Sequence, residues 1–253
     1  MSSPPFFSLN GRTAVVTGAR GGIGRAAAVA LARAGADLVL WGHRDNLDET
    51  AALVEVHGAK VRAVVADLTD AAAVRRTVDR VLAVGDVHIL VNNAGIIRRG
   101  PALEMPDSDW DDVLQVNLSS VFLLSRLFGN PMCERRSGKI INIASMLSFQ
   151  GGINVASYTV SKHAVAGLTR ALANEWAGRG VNVNAVAPGY VATDNTAVLR
   201  ADPVREAEIR ARIPAGRWAR PEEISGAVVF LASPAADYVH GHVLAVDGGW
   251  LAR

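Results

Sequence analysis

Seven short runs rich in β-branched residues alternate with longer alanine-rich stretches along almost the whole chain. The short runs are continuously apolar, which is typical of strands buried on both faces, whereas the longer stretches have the spacing of amphipathic helices. We therefore predict an α/β fold: a doubly wound parallel sheet with helices on both faces, joined by right-handed crossovers. The predicted strands are Thr13–Thr17, Leu38–Trp41, Val61–Ala66, Ile89–Asn92, Lys139–Ala144, Val181–Ala187 and Val243–Val246.

No boundary interrupts this pattern, because the sequence has no linker rich in proline, glycine or serine, no repeat and no low-complexity tract. Residues 9–253 are predicted to form a single domain, preceded by an N-terminal extension of residues 1–8. The one cysteine, Cys133, has no partner for an internal disulfide and no neighbours with metal-ligand spacing. No metal site is therefore predicted.

Charge and hydropathy argue against several classes of partner. The 26 basic and 24 acidic residues give a net charge of +2, and the arginines are scattered, so a nucleic-acid-binding surface is not expected. The sequence contains neither 18 uninterrupted apolar residues nor the pattern of a secretory leader. We expect no membrane association and a cytoplasmic location.

A glycine-rich segment, TGARGGIG at Thr17–Gly24, lies between the first predicted strand and an alanine-rich helix that begins near Gly22. Glycines here let the backbone turn tightly and approach a pyrophosphate, whose charge is stabilised by the helix N-terminus. This context predicts a dinucleotide-binding loop, and the alternative is a purely structural turn. The candidate cofactor-binding residues in the loop are Gly18, Arg20, Gly22, Ile23 and Gly24.

Other candidates follow strands, because ligands of parallel sheets bind beyond the carboxyl ends of the strands. Asp67 would accept a hydrogen bond from an adenine, or cap the helix that starts near Asp70. The small residues of Asn92–Gly95 would let a ligand approach the backbone, or form an ordinary turn. Pro188–Thr193 would hold a carboxamide through backbone groups and the Thr193 hydroxyl, or form a plain loop.

Tyr158 and Lys162 stand four residues apart in a segment, 155–175, that is predicted to be helical. Residues at i and i+4 share one face of a helix, so the ammonium would lie beside the phenol. A neighbouring cation lowers a phenol pKa of about 10 by roughly one to three units, which would make Tyr158 a usable acid or base. The alternative is a packed tyrosine and a solvated lysine. The chain has only 3 lysines against 23 arginines, which indicates that position 162 requires an ammonium.

These motifs, with Asn117 and Ser145, resemble in content and order those of the short-chain dehydrogenase/reductase family, and the resemblance covers Leu9–Arg253. It implies a Rossmann fold, a nicotinamide cofactor and an enzyme that acts on CH–OH groups. Tyr158 would be the general acid/base, Ser145 would hydrogen-bond the reacting oxygen, and Lys162 would also bind the nicotinamide ribose. Asn117 would hold a water of the proton relay. Cofactor contacts would include Asp67, Leu68, Asn92, Ala94, Gly95, Tyr158, Lys162, Pro188, Gly189, Val191 and Thr193.

Longer segments are similar to members of the family that act on sugar acids; they are 92–104, 139–152, 187–196, 212–218 and 246–253. This similarity implies reversible hydride transfer between NAD(P) and a secondary alcohol of a deoxy-keto-sugar acid. Residues 146–152 directly follow Ser145 and would wall the substrate pocket, with Met146, Gln150 and Tyr190 as candidate contacts.

A carboxylate substrate needs a cation or several hydrogen-bond donors. Arg98, Arg99 and Arg217 are the candidate cations, and each could instead form an ion pair on the surface or at a subunit interface. The candidate hydroxyl partners are Gln150, Asn154 and Asn195.

The loop after the second strand, Gly42-His43-Arg44, lacks the acidic residue that usually binds the ribose hydroxyl of NAD. Arg20, His43 or Arg44 would instead meet the 2′-phosphate of NADP, and the nearby Asp45 would oppose it. The resemblance to sugar-acid enzymes favours NAD. We therefore expect NAD as cofactor, with NADP also accepted.

Two alternatives stay open at the level of sequence: a short-chain reductase of another substrate, such as β-ketoacyl carrier protein, and a non-catalytic cofactor-sensing protein. The sugar-acid segments argue against the first, and the complete set of Asn117, Ser145, Tyr158 and Lys162 argues against the second. The family resemblance also implies a homotetramer, in which the apolar terminus 246–253 would be buried against another subunit.

Overall fold

The computed structural model describes residues 6–253, and residues 1–5 of the predicted N-terminal extension lie outside the described residues. Seven parallel strands form one sheet in the order β3-β2-β1-β4-β5-β6-β7. The predicted doubly wound α/β fold is therefore confirmed. The strands are β1 (Thr13–Thr17), β2 (Asp37–Gly42), β3 (Val61–Val65), β4 (Ile89–Asn92), β5 (Gly138–Ile143), β6 (Val181–Pro188) and β7 (Val243–Val246).

Helices connect successive strands and cover both faces of the sheet. The segment predicted as 155–175 is helical one residue later, and the first helix begins at Gly22 as predicted. The helices are α1 (Gly22–Arg33), α2 (Asp48–Glu55), α3 (Ala71–Leu82), α4 (Asp107–Leu114), α5 (Ser120–Glu134), α6 (Ala156–Trp176), α7 (Ala197–Ala201), α8 (Pro203–Arg212) and α9 (Glu222–Ala232). Within residues 6–253, none of them is both long enough and apolar enough to cross a membrane.

Strand β1 shows how continuous apolar runs serve both layers of the core. Alternate side chains of a strand point to opposite faces, and accordingly Ala14 and Val16 pack in the layer that contains Leu31 of α1, whereas Val15 packs in the layer that contains Phe128 of α5. Burial on both faces explains why the interior of β1 is apolar without alternation.

Strand order reverses between β1 and β4, because the chain leaves β1 toward β2 and β3 and returns to pair β4 on the other side of β1. The crevice at such a switch point lies beyond the carboxyl ends of the strands and is where ligands bind in open α/β sheets. β1, β4, β5 and β6 end there at Thr17, Asn92, Ile143 and Pro188.

Candidate active site

A cleft of about 290 Å³ follows the carboxyl ends of these central strands. Its walls are mainly small residues and backbone, which fits the close approach of an extended ligand. Among the predicted cofactor residues, those that line it are Gly18, Arg20, Gly22, Ile23, His43, Ala94, Gly95, Tyr158, Lys162, Pro188, Gly189, Val191 and Thr193. Lining residues that were not predicted include Asn46, Asn93, Ala144 and Asp194.

The glycine-rich loop needs glycine for two different reasons. Gly18 and Gly22 have φ of 65° and 53°, a left-handed conformation that side chains disfavour. Gly24 does not line the cleft; a Cβ there would lie 2.2 Å from the carbonyl oxygen of Gly18, so only glycine lets α1 pack against the loop. The N-cap of α1, Gly21, has no side chain to satisfy the first amides of the helix. The N-terminus of α1 thus offers unpaired donors for an anion at the cleft.

Other predicted cofactor residues do not line the cleft. Asn92 is 3% exposed, and its amide donates to Ser125 and Asn142 inside the protein, while Leu68 packs in the core. Both side chains point into the protein, so a contact of either residue with the cofactor would have to be made by its backbone, and the two predictions stay predictions. Arg44 is exposed beside the cleft without lining it.

Asp67 also lies outside the cleft, and its carboxylate already accepts hydrogen bonds from the backbone amide (2.9 Å) and hydroxyl (2.8 Å) of Thr69. These bonds, the backbone bond first, hold the pKa of Asp67 below its ordinary value. Asp70, and not Asp67, caps α3, because its carboxylate accepts from the amides of Ala72 and Ala73. The N-cap role considered for Asp67 is therefore wrong, whereas its role as a hydrogen-bond partner of an adenine stays a prediction, because an exposed carboxylate that accepts two hydrogen bonds can accept more.

Ser145 and Tyr158 line both this cleft and a second, larger cavity. Ser145 follows β5 and caps a short 3₁₀ turn, and Tyr158 lies in the first turn of α6. Burial raises the pKa of Tyr158, and a hydrogen bond with Ser145 and the charge of Arg99 oppose this increase. The two hydroxyls therefore lie at the junction of the two cavities.

Lys162 lies on the same face of α6 as Tyr158, with its Nζ atom 5.5 Å from the centre of the tyrosine ring. The side chain is 4% exposed and Nζ donates to the carbonyl oxygen of Ile143 at 2.6 Å. Burial lowers the pKa of Lys162 to about 8. Burial is the largest influence on the phenol and makes the net shift of the Tyr158 pKa upward, so the lowering expected from Lys162 stays a prediction.

Asn117 lies in a widened helical turn, 115–119, between α4 and α5, and it is 1% exposed. Its Oδ1 accepts from the amide of Ile96 (2.8 Å), and its Nδ2 donates to the carbonyl of Ile96 (2.9 Å) and to Ser161 Oγ (3.2 Å). Asn117 therefore stands behind the cleft and ties the segment after β4 to α6, three residues from Tyr158.

The second cavity has a volume of about 650 Å³ and extends from Ser145 and Tyr158 toward α8. All three predicted substrate contacts, Met146, Gln150 and Tyr190, line it, as do Asn154 and Asn195. Lining residues that were not among the predicted substrate contacts include Arg205, Glu208, Arg212 and Trp250. Arg212 lies 4.1 Å above the ring of Trp250, which joins the end of α8 to the C-terminal segment.

The structure separates the three candidate arginines. Arg98 forms ion pairs with Asp109 and Asp112, and Arg217 forms two hydrogen bonds with Glu223, which bring the pKa of Glu223 down to about 2. Neither lines the larger cavity. Arg99 does line it, and within residues 6–253 it forms no ion pair; its guanidinium donates to the carbonyl of Asn195 at 3.2 Å.

A family model described as enoyl-(acyl carrier protein) reductase matches residues 18–251. Together with relatives of high identity over the full chain, this match shows that the protein belongs to the short-chain dehydrogenase/reductase family of oxidoreductases. The predictions of family and of enzyme class are thereby confirmed.

Three relatives illustrate what the chain is similar to. The 2-dehydro-3-deoxy-D-gluconate 5-dehydrogenase of Bacillus subtilis (strain 168) is 53% identical, over 98% of this chain and 97% of the relative. A solved structure from Beutenbergia cavernae, described as a candidate NAD(P)-dependent gluconate 5-dehydrogenase with bound NADP at low occupancy, has a TM-score of 0.96 and 61% identity and covers 98% of this chain and 100% of its own. A gluconate 5-dehydrogenase from Burkholderia cenocepacia J2315, solved with NADP and tartrate, has a TM-score of 0.93 and 39% identity and covers 98% of each chain.

Proposed function

We propose that this enzyme interconverts a secondary alcohol and a ketone on a deoxy-keto-sugar acid, using NAD(P), in the manner of 2-dehydro-3-deoxy-D-gluconate 5-dehydrogenase. One observation carries the proposal: Ser145 and Tyr158 line both the cleft at the strand ends and the larger cavity. Two ligands bound in these spaces would meet at the two hydroxyls.

The smaller cleft fits a dinucleotide in three respects. Its glycine-rich loop leaves no room for a side chain at Gly18 or Gly24, the N-terminus of α1 offers free donors, and Lys162 presents a buried ammonium. NAD(P) supplies or accepts the hydride when bound. Lys162 would bind its ribose, while Ala94, Gly95 and the segment Pro188–Thr193 would hold the nicotinamide end.

Proton transfer would fall to Tyr158. Because burial raises its pKa, the phenol is protonated at neutral pH and is suited to donate a proton to the oxygen of a ketone. Ser145 would hydrogen-bond the same oxygen. Asn117 would support the relay from behind, since it fixes Ser161 and Ile96 on either side of it.

The sugar-acid substrate is supported by the charge of the larger cavity and by the relatives. Three arginines, Arg99, Arg205 and Arg212, line the cavity against a single carboxylate, Glu208, which is occupied by Arg205 at 2.9 Å. Arg99 and Arg212 therefore remain to bind a substrate carboxylate. Relatives 50–53% identical over nearly the whole chain carry the name 2-dehydro-3-deoxy-D-gluconate 5-dehydrogenase.

We propose that both cofactors are accepted, and the preference for NAD stays a prediction. Arg20 and His43 line the cleft and would receive a 2′-phosphate, whereas the one carboxylate that lines it, Asp194, is paired with Arg20 at 3.4 Å. If the loop Gly42-His43-Arg44 contacts the 2′-phosphate, replacing Arg44 by Asp should change the NADP-to-NAD preference.

A cytoplasmic homotetramer is part of the same proposal. Large apolar side chains stay exposed on the helices α4 to α6, among them Phe122 and Val160, each 44% exposed. Burial of this face against a second copy would remove the exposed apolar surface from water. Analytical ultracentrifugation of the purified protein would test the oligomeric state.

The test of function is a panel assay with both reduced cofactors. We expect the enzyme to oxidise NADH or NADPH when the substrate is the ketone that forms on oxidation of 2-dehydro-3-deoxy-D-gluconate. We expect little oxidation of either cofactor with a β-ketoacyl carrier protein. Turnover of the acyl substrate without turnover of any sugar acid would support the alternative reductase. Binding of NADH with no turnover of sugar acids or polyols would support the cofactor-sensing alternative.

A further inference from the structure

Four successive carbonyl groups of the glycine-rich loop, from Thr17 to Arg20, accept hydrogen bonds from side chains. Asn93 donates to the carbonyls of Thr17 (2.9 Å) and Gly18 (3.2 Å). The next two carbonyls are bound from the side of α1 and α2. Every carbonyl in this part of the loop is thus fixed by a side chain, which is more than a surface turn requires.

Arg25 and Thr50 hold those last two carbonyls. Thr50 is fully buried and donates to the carbonyl of Ala19 at 2.9 Å. Arg25 donates twice to the carbonyl of Arg20, from Nε at 3.1 Å and from Nη2 at 2.6 Å. Neither Arg25 nor Thr50 lines the cleft, so they act on it only through the loop.

Arg25 is itself held in place by α2. Its two terminal nitrogens donate to the two carboxylate oxygens of Glu49 at 2.6 and 2.8 Å, and its Nε also donates to Thr50 Oγ1 at 3.1 Å. A bidentate pair of this kind fixes the orientation of the guanidinium plane as well as its position. The guanidinium therefore connects α2 rigidly to the loop.

Anchoring a carbonyl also orients the amide that follows it. In a planar trans peptide the N–H of residue i+1 points away from the C=O of residue i. The carbonyls of Ala19 and Arg20 are held on the side of α2, so the amides of Arg20 and Gly21 point to the other side, where both residues line the cleft. Within residues 6–253, neither amide donates to another backbone carbonyl.

We propose that Arg25 is a positioning residue for the phosphate-binding loop: with Glu49 and Thr50, it fixes two peptide planes so that their N–H groups face the pyrophosphate of the cofactor. The inference rests on the proposed cofactor cleft. It concerns cofactor binding alone, since Arg25 lines neither the cleft nor the larger cavity, which share the hydroxyls of Ser145 and Tyr158.

The test compares Arg25→Leu with the parent enzyme by NADPH fluorescence titration and by inhibition with ADP and with adenosine. We expect the Kd for NADPH and the inhibition constant of ADP to rise about tenfold, the order expected for losing hydrogen bonds that involve a charged group. Inhibition by adenosine, which has no phosphate, should be unchanged. The kcat at saturating cofactor should stay within about twofold of the parent, because the reacting groups are untouched.

Two further variants complete the design. Arg33→Leu removes an exposed arginine from the same helix and should bind NADPH as the parent does. Thr50→Val removes, without changing charge, the hydroxyl that donates to the Ala19 carbonyl and accepts from Arg25 Nε. It should weaken the binding of NADPH and of ADP in the same direction as Arg25→Leu, even if the latter folds poorly. Parental affinity in both Arg25→Leu and Thr50→Val would overturn the inference, as would equal losses for ADP and adenosine. A parent enzyme that binds no NADPH would instead refute the proposed function.

Discussion

The cofactor cleft is walled mainly by backbone at strand ends, whereas the substrate cavity is walled by side chains from segments that are distant in the chain. Gly18, Gly22 and Gly24 shape the first through absent side chains, and Arg99, Arg212 and Trp250 shape the second through large ones. Only Ser145 and Tyr158, with neighbours of the 189–196 loop, belong to both. A substitution in one region should therefore leave binding in the other intact, except at the residues that line both.

The largest effect is expected where the two regions meet. Tyr158→Phe removes the proton donor and should lower kcat by about 10² to 10⁴, the usual contribution of a general acid. Affinity for NADPH should be nearly unchanged, since the ring remains. Steady-state kinetics and fluorescence titration measure the two quantities. Tyr190→Phe, which alters only the substrate cavity, is the control and should retain most of the turnover.

Lys162, on the cofactor side, should make the free energy of unfolding depend on pH. Its pKa is about 8 in the folded protein against 10.5 for an ordinary lysine, so between these values the folded state binds fewer protons than the unfolded state. The free energy of unfolding should therefore rise with pH across this window, by up to about 3 kcal/mol, and the cost of burying the ammonium is fully present below pH 8.

Urea unfolding of the parent and of Lys162→Met from pH 8 to 10.5 measures this contribution. The variant should lose the rise, whereas Lys60→Met, which alters an exposed lysine, should keep it. Parallel pH profiles for the parent and Lys162→Met would show that the ammonium is not buried as described.

Gly24→Ala tests the claim that the cofactor side depends on absent side chains. The added Cβ would lie 2.2 Å from the Gly18 carbonyl, so the loop must move, at a cost of roughly 1 to 3 kcal/mol and with weaker cofactor binding. Gly21→Ala is the matched control for stability, because Gly21 is extended and a Cβ there has no neighbour within 4 Å. Equal unfolding free energies for the two variants would contradict the packing argument.

Arg99→Gln tests the substrate side. It should raise the KM for the sugar acid about tenfold, because a hydrogen bond to a charged group is lost, and leave the Kd for NADPH unchanged. Arg217→Gln is the control, since that guanidinium is bound by Glu223 outside the cavity. An equal rise of KM in both variants would show that the effect comes from the loss of one positive charge and not from a contact in the cavity.

The difference between the two regions also explains what the sequence could predict. The fold followed from the continuous apolar runs, and three strands, among them β1 and β4, have the predicted boundaries. The cofactor loop was predictable because its glycines are required by the local conformation and close packing of the backbone. Likewise, the helical spacing of Tyr158 and Lys162 was enough to place them on one face of α6.

The remainder depended on tertiary packing. Residues 205–212 carry several basic and acidic side chains, and only the fold brings Arg212 to Trp250 and to the cavity. Asn92 belongs to a motif of small polar residues beside the cleft, yet it ends a fully buried strand and its side chain points inward. The pKa of Tyr158 depended on burial, which spacing along a helix does not reveal.

The central claim is that the two ligands meet at Ser145 and Tyr158, and a crystal structure tests it most directly. We would determine the structure of Tyr158→Phe, which should trap the complex, with NADPH and the keto-sugar acid. The claim predicts the ketone oxygen within hydrogen-bonding distance of Ser145 Oγ and the carboxylate toward Arg99 or Arg212. A sugar acid bound outside the larger cavity, or with its carboxylate against Ser145, would contradict it.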